Sequence, residues 1–336
     1  MMPDVSPNLS VVIPVRNEAA HIADVLDRLL EQSYEADRFE ILVVDGLSDD
    51  GTPDIVNNYA SRYKNVRFFE NPKRLSSAAR NIGIRNALGD AVLIIDGHCL
   101  INHRDMLKNV ACAFEASGAD CLGRPQPLEM THATTLQWAV ASARRSPLGH
   151  HPDSFIYSDK ARFSPAISVA VAYRKEVFDT VGFFDESFDA CEDVELNYRI
   201  DQAGLRCYFD PAIAVCYVPR KTLSGLAYQM NRYGRGRVRL YRKHPETFSI
   251  KSFGPGLSML GVLVGLPFCF VHPVFLAVYL SVVGIYLLAI LEESFRLSVT
   301  GRRFSMLPLL PVVFFSIHFG FGFGILREFF FSKRKK

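Results

Sequence analysis

Two hydrophobic periods alternate along roughly the first 215 residues. Short apolar runs of strand length, Leu9 to Val15, Glu40 to Asp45, Val66 to Glu70 and Ala91 to Asp96, alternate with segments of helical period such as Glu18 to Gln32 and Thr52 to Tyr63. Near-continuous apolar strands belong to sheets covered on both faces, and strand–helix–strand repetition joins parallel strands by right-handed crossovers. The pattern predicts an α/β fold with a mostly parallel sheet. Ligands on such sheets lie beyond the carboxyl ends of the strands, so function is sought there.

The pattern changes at Gly256. From there to Leu291 the chain has no Asp, Glu, Lys or Arg, too long a run for one crossing of about 20 residues, which predicts a helical hairpin turning near His272 and Pro273. A polar stretch with Arg296, Arg302 and Arg303 follows, then a third apolar run, 306–326, and a basic tail, 331–336, with Lys333, Arg334, Lys335 and Lys336. A full third crossing would strand that tail outside, against the positive-inside bias. Pro308 and Pro311 at the start of this run and Gly320, Gly322 and Gly324 near its end suit a re-entrant or interfacial segment instead. The expected organisation is a catalytic domain over 1–240, a basic juxtamembrane connector over 241–255 and membrane helices over 256–330 (hairpin 256–291).

Composition narrows the options. The apolar fraction of 49% is high for a soluble enzyme and is explained by the C-terminal runs, while a net charge of +3 is too mild to argue for nucleic acid. Seven scattered cysteines, never spaced CxxC, read as reduced and mostly buried thiols, not a disulfide framework or zinc site. The first apolar run, about five residues from Val11 to Val15, is shorter than a signal peptide's core of roughly 7–15 residues. The N-terminal domain is therefore expected in the cytoplasm, against the inner (cytoplasmic) membrane.

Three early strands deliver polar residues to one edge: the first runs from Pro14 into Arg16, Asn17 and Glu18, and the others end at Asp45 and Asp96. Any one acid there is as readily a cap or turn former, but three together suggest a site. The runs SVVIPVRNEAAHI, ILVVDGLSDDGT, AARNIGIRNALGDAVLIIDGH and FDACEDVELNYRI resemble the successive motifs of the family-2 glycosyltransferases with the GT-A fold, Rossmann-like and mostly parallel. The resemblance covers roughly residues 9 to 240. The later YVPRKTLSGLAYQMNRYGRGR and the apolar tail resemble the exopolysaccharide transferases of the succinoglycan-assembly type.

That resemblance implies that Pro14, Arg16, Glu18 and Asp45 hold the nucleotide's base and ribose, that Arg80 lies near the nucleotide, and that Asp96 opens the family's DxD motif. A carboxylate suits uracil N3–H or ribose hydroxyls, which donate to it. His98 stands where the motif has a second Asp; imidazole can ligate a divalent metal, Mn more readily than Mg, and the alternative is a turn histidine beside a metal held by Asp96 and the diphosphate. Asp193, beside Glu192 at the start of a helical pattern, Val194 to Ala203, is the expected base for transfer with inversion, which needs one carboxylate and no covalent intermediate. Without the upstream motifs both acids would read as helix N-terminal charges.

Arg232, Arg235, Arg237 and Arg239 concentrate guanidinium groups ahead of the membrane segments. Arg235 and Arg237 suit an acceptor diphosphate bidentately, and the cluster equally suits anionic lipid. Gln229 is followed by no Arg-Trp pair and Trp138 is the only tryptophan, so the QxxRW signature of the family's processive synthases is missing and single addition is expected. The stretch 146–163, with His150 and His151, reads as a loop able to close over the donor. The expected partners are a UDP-sugar donor, a lipid-linked saccharide acceptor, a divalent metal, membrane lipids and a polysaccharide-assembly complex. A polyprenyl-phosphate transferase and a non-catalytic nucleotide-sugar binder are the rivals.

Overall fold

The computed structural model describes residues 7–150 and 155–332. In chain order the elements are β1 (Leu9–Val15), α1 (Ile22–Leu30), β2 (Phe39–Asp45), α2 (Thr52–Arg62), β3 (Val66–Glu70), α3 (Ser76–Asn86), β4 (Ala91–Ile94), α4 (Met106–Ser117), β5 (Cys121–Gly123), α5 (Thr135–Arg145), β6 (Arg162–Phe163), β7 (Ala170–Arg174), α6 (Lys175–Val181), α7 (Glu192–Gln202), β8 (Cys207–Phe209), α8 (Leu223–Lys243), α9 (Ile250–Phe268), α10 (Pro273–Thr300) and α11 (Leu310–Phe331). They fall into two compact units: the described residues of Met1–Leu128 with Asp153–Val218, and those of Glu129–Pro152 with Pro219–Lys336.

The first unit is an eight-stranded sheet in the order β3-β2-β1-β4-β7-β5-β8-β6. β1 lies between β2 and β4, parallel to both, with Val15 opposite Asp45 and Val12 opposite Ile94. Leu9, Val11, Ile13 and Val15 enter one core layer and Val12 the other, which is why the run is apolar without a break. Chain order reverses around β1, so the crevice for a ligand opens beyond its carboxyl end. The sheet is mostly parallel but mixed: β7 runs antiparallel to β4 and β5, and β6 antiparallel to β8. Helix α1 starts at Ile22, later than the periodicity from Glu18 suggests. The amides of Glu18 and Ala19 are committed to Thr52 Oγ1 (2.9 Å) and Asp50 Oδ2 (3.0 Å), which holds this segment in turns.

The second unit is helical. α5 opens on a capping box between Thr134 and Gln137, and α8 on Thr222 Oγ1, which accepts from Gly225 N at 3.1 Å. Three helices among the described residues, α9, α10 and α11, are long and apolar enough to cross a membrane. The turn between α9 and α10 spans 269–272, at the predicted place. α11 starts at Leu310 and continues through its glycines to Phe331. The glycines do not end the helix because α8 needs their space: a Cβ on Gly324 would overlap the Asn231 carbonyl oxygen, and one on Gly234 the Phe321 carbonyl oxygen. Gly324→Val is therefore expected to cost about 1–3 kcal/mol by overpacking, read as a lower thermal midpoint of the detergent-purified protein. α8 itself belongs outside hydrocarbon, since each arginine at a bilayer centre costs about 2.5–3.5 kcal/mol on insertion scales.

Candidate active site

At the carboxyl ends of the strands, the segment after β1 is laced to the loops after β2 and β4. Asn17, with φ of 57°, donates its amide to Ser48 Oγ (2.8 Å) and accepts at Oδ1 from the Asp49 amide (3.1 Å). Asp45 is buried, and Ser48 occupies both its oxygens, through Oγ (2.5 Å) and the amide (2.9 Å). Asp50 accepts from the Thr52 hydroxyl at 2.6 Å, and that bond, followed by the one from the Ala19 amide, holds its carboxyl below the ordinary range. Arg16 is exposed and Pro14 half-buried at the end of β1.

Glu18 bridges two of these loops. Its amide reaches Thr52 and its Oε1 lies 2.9 Å from His98 Nδ1. An ionised carboxylate only accepts, so a neutral imidazole in this contact has its proton on Nδ1 and its lone pair on Nε2. Asp96, two residues beyond β4, accepts at Oδ2 from the Tyr217 hydroxyl (2.9 Å), whose ring also meets His98 edge-on at 6.3 Å. Burial first, then Asp96, push the Tyr217 phenol well above its ordinary pKa, which keeps it a donor. Arg124 is nearly fully buried, and its Nη2 faces the Ile94 carbonyl (3.3 Å) and the Tyr217 hydroxyl (3.4 Å). Gly97 has a packing reason to lack a side chain, since a Cβ would sit 2.7 Å from Val15 Cγ1.

The segment before α7 and the first turn of α7 are held by α3. Asn81 Nδ2 donates to the Phe184 carbonyl and to Glu186 Oε1, both at 2.9 Å, and Ser77 Oγ to the Phe188 carbonyl at 3.1 Å. Arg80 lies between them, with Nη1 3.1 Å from Glu192 Oε1 and its guanidinium 5.2 Å from the Phe184 ring centroid. Burial opposes the Arg80 charge, but Glu192, Asp193 and Asp96 more than offset it and leave its pKa raised. Burial likewise pushes the Glu192 carboxyl up, Arg80 pulls it down and Asp193 adds to the rise, so it lies above the usual carboxylate range. Asp193 is exposed in the first turn of α7, its Oδ1 accepting from the Val194 amide at 2.8 Å.

The structure thus brings Glu192, Asp193 and Asp96 within electrostatic reach of Arg80, and joins Glu18 to His98. Tyr217 and Arg124 belong to this site and were not foreseen. Arg235 and Arg237 lie in the helical unit; Arg235 Nε is 3.0 Å from Glu328 Oε2, and Arg239 Nε is 2.9 Å from Glu328 Oε1. Trp138 packs in the helical unit with the Arg303 guanidinium 3.9 Å over its ring. His151, within the suggested loop, and the tail Lys333 to Lys336 lie outside the described residues. The cysteines are free thiols; Cys99, Cys121, Cys191 and Cys207 are buried and Cys112 is exposed.

The sequence profile of Glycosyl transferase family 2 matches residues 10–182. The chain is 30% identical over 322 residues to the succinoglycan biosynthesis protein ExoA of Rhizobium meliloti (strain 1021), covering 95% of this chain and 94% of that one. It is 26% identical over 335 residues to the dolichyl N-acetyl-α-D-glucosaminyl phosphate 3-β-D-2,3-diacetamido-2,3-dideoxy-β-D-glucuronosyltransferase of Methanococcus voltae, covering 95% and 97%. Among solved structures, the mannosyltransferase PcManGT from Pyrobaculum calidifontis in complex with GDP-Man and Mn2+ superposes with a TM-score of 0.61 at 20% identity, covering 98% of this chain and 89% of that one.

Proposed function

This chain belongs to glycosyl transferase family 2 and is a glycosyltransferase, and from that premise we propose that it moves a sugar, with inversion, from a UDP-sugar to a polyprenyl-diphosphate-linked saccharide in exopolysaccharide or related glycan assembly. The observation that carries this reading is the meeting of two groups of acids through Arg80: Asp96 at the nucleotide side and Glu192 with Asp193 at the start of α7.

Asp193 takes the proton from the acceptor hydroxyl as it attacks the anomeric carbon opposite the departing diphosphate. Glu192 and Arg80 fix the position of α7's first turn and hence of Asp193. Pro14, Arg16, Glu18 and Asp45 line the nucleotide side, Asp45 kept rigid by Ser48. Arg235 and Arg237 would serve as ligands for the acceptor's diphosphate, Arg235 only on release from Glu328, and the catalytic unit works at the cytoplasmic face of the inner membrane. A lipid-linked acceptor is in keeping with the names of the relatives, one concerned with succinoglycan and one with a dolichyl-linked sugar phosphate.

The residues present fit a divalent cation. Asp96 supplies carboxylate oxygen, and the Glu18 contact to His98 Nδ1 is the carboxylate–histidine arrangement that presents Nε2 to a metal. No cluster of three His, Cys, Asp or Glu is found among the described residues, so diphosphate oxygens and water would complete the shell around Asp96 and His98. When bound, the cation offsets the charge of the leaving diphosphate. Tyr217 steadies Asp96; Tyr217→Phe is expected to raise the donor KM about 3–10-fold, the net worth of one ordinary hydrogen bond, with a smaller change in kcat.

The test is nucleoside diphosphate release from a panel of UDP- and GDP-sugars by membranes carrying the chain, with lipid extract, with and without EDTA and added Mn. One UDP-sugar turning over, with chelation abolishing it, is the expected result. Turnover of GDP-sugars alone would overturn the donor assignment. UDP binding without turnover on any donor, in extracts that support known lipid-acceptor enzymes, would favour the non-catalytic binder.

A further inference from the structure

We infer that α11 does not cross the membrane but lies along its surface beside α8, so that the chain crosses twice, through α9 and α10, and both ends of the chain stand on one side. This goes beyond the proposed chemistry and does not depend on it.

The inference starts from how α11 meets α8. Gly320 of α11 abuts Ala227, Gly324 abuts Asn231, and Glu328 takes the side chains of Arg235 and Arg239 at 3.0 and 2.9 Å. Arg242 Nη2 closes the series on the Glu328 and Phe329 carbonyls, at 2.9 and 3.0 Å. Residue numbers rise together, so the two helices run parallel and share their depth turn by turn. If α11 spanned the bilayer, α8 would have to span it alongside. α8 carries Arg232, Arg235, Arg237, Arg239, Arg242 and Lys243 and no acid of its own, and a helix with six cations along it is too costly to bury in hydrocarbon, which keeps α8 in the aqueous or headgroup layer. α11 is held there with it.

The rest of α11 agrees. Its first half packs Leu310, Val313, Phe314 and Ile317 against Ala139, Val140 and Ala143 of α5, a helix that ends on Arg144 and Arg145. The open and half-open positions include an apolar stripe, Val312, Phe315, Phe319, Phe323 and Phe330, with Arg327, Phe329 and Phe331 exposed beside it. Held at that depth by α8, the stripe can sink into the headgroup–acyl boundary. The occupant of that stripe is the lipid surface itself, because the α9–α10 hairpin of the same unit exposes Leu263, Phe270, Val278 and Ile285. Charge places the ends: Lys243 precedes the hairpin and Lys251 lies in the first turn of α9, Arg302 and Arg303 follow α10, and the turn 269–272 has no Lys or Arg.

The full chain is fused, in a bacterial host, to a green fluorescent protein that matures only in the cytosol or to an alkaline phosphatase active only after export, placed either after Lys336 or within the turn 269–272. Fluorescence without phosphatase activity at the chain end, and the reverse in the turn, is expected; phosphatase activity at the chain end would overturn the inference. Depth supplies a second reading. With Trp138→Phe removing the only tryptophan, Phe323→Trp should be quenched at least about 2-fold more by lipids brominated near the headgroup than near the chain ends. Stronger quenching by the deep bromines would restore a crossing.

Discussion

Replacing Asp193 by asparagine is expected to lower kcat by about 10²–10⁴-fold, the range for loss of a positioned general base, while donor KM changes by no more than about 2-fold. The substitution is nearly isosteric and keeps an oxygen to accept from the Val194 amide, the contact that orients this side chain at 2.8 Å. Folding and nucleotide binding should therefore persist, and the lost property is proton acceptance alone. Steady-state release of nucleoside diphosphate, with donor and acceptor varied separately, measures it. A fall of less than about 10-fold would mean that the attacking oxygen arrives already anionic, as a lipid phosphate does, and that the acceptor is not a saccharide hydroxyl.

Arg80→Met should have the largest effect on stability. Its guanidinium stands 3.1 Å from Glu192, with side-chain exposures of 12% and 9% for the two residues. Removing one member of a buried pair strands the other charge and costs about 3–5 kcal/mol, on the order of 10 °C in the thermal midpoint. Burial already holds the Glu192 carboxyl above its ordinary range, and without Arg80 it would rise further. The double substitution Arg80→Met with Glu192→Leu is expected to recover most of the lost stability, because an apolar pair needs no counter-charge. Turnover should not return with it, since Asp193 then lacks the neighbours that place its turn. Recovery of stability and turnover together would show that the pair is structural only.

Much of this was legible in the sequence, for definite reasons. β1, β2 and β4 are buried on both faces, so their apolar runs marked them, and the acids that close β2 and follow β4 stood out against those runs, while β3, at the sheet edge, buries only Val66. β5, β6 and β8 have only two or three residues each, and the antiparallel β7 follows a loop, so periodicity had little to act on. Tyr217 was invisible because it reaches Asp96 across 121 residues, brought there by the isolated bridge between Leu100 and Cys216. Arg124 had no motif, and its place beneath Tyr217 is a matter of tertiary packing. Arg80 and Asn81 did stand within a recognisable motif, but that they anchor the segment before α7 needed the fold. The conflict posed by the third apolar run was visible as charge. The surface placement inferred for it rests on Glu328, two residues beyond the run as read, and on the α8 arginines it binds.

The anomeric configuration of the transferred sugar is the measurement closest to the central claim. Wild-type membranes, a single α-configured UDP-sugar and lipid acceptor would yield a product whose new linkage is read by the proton coupling at the anomeric carbon. One carboxylate base and direct displacement require a β linkage, the opposite of the donor. A retained α linkage would contradict the role given to Asp193 and with it the reaction proposed for this site.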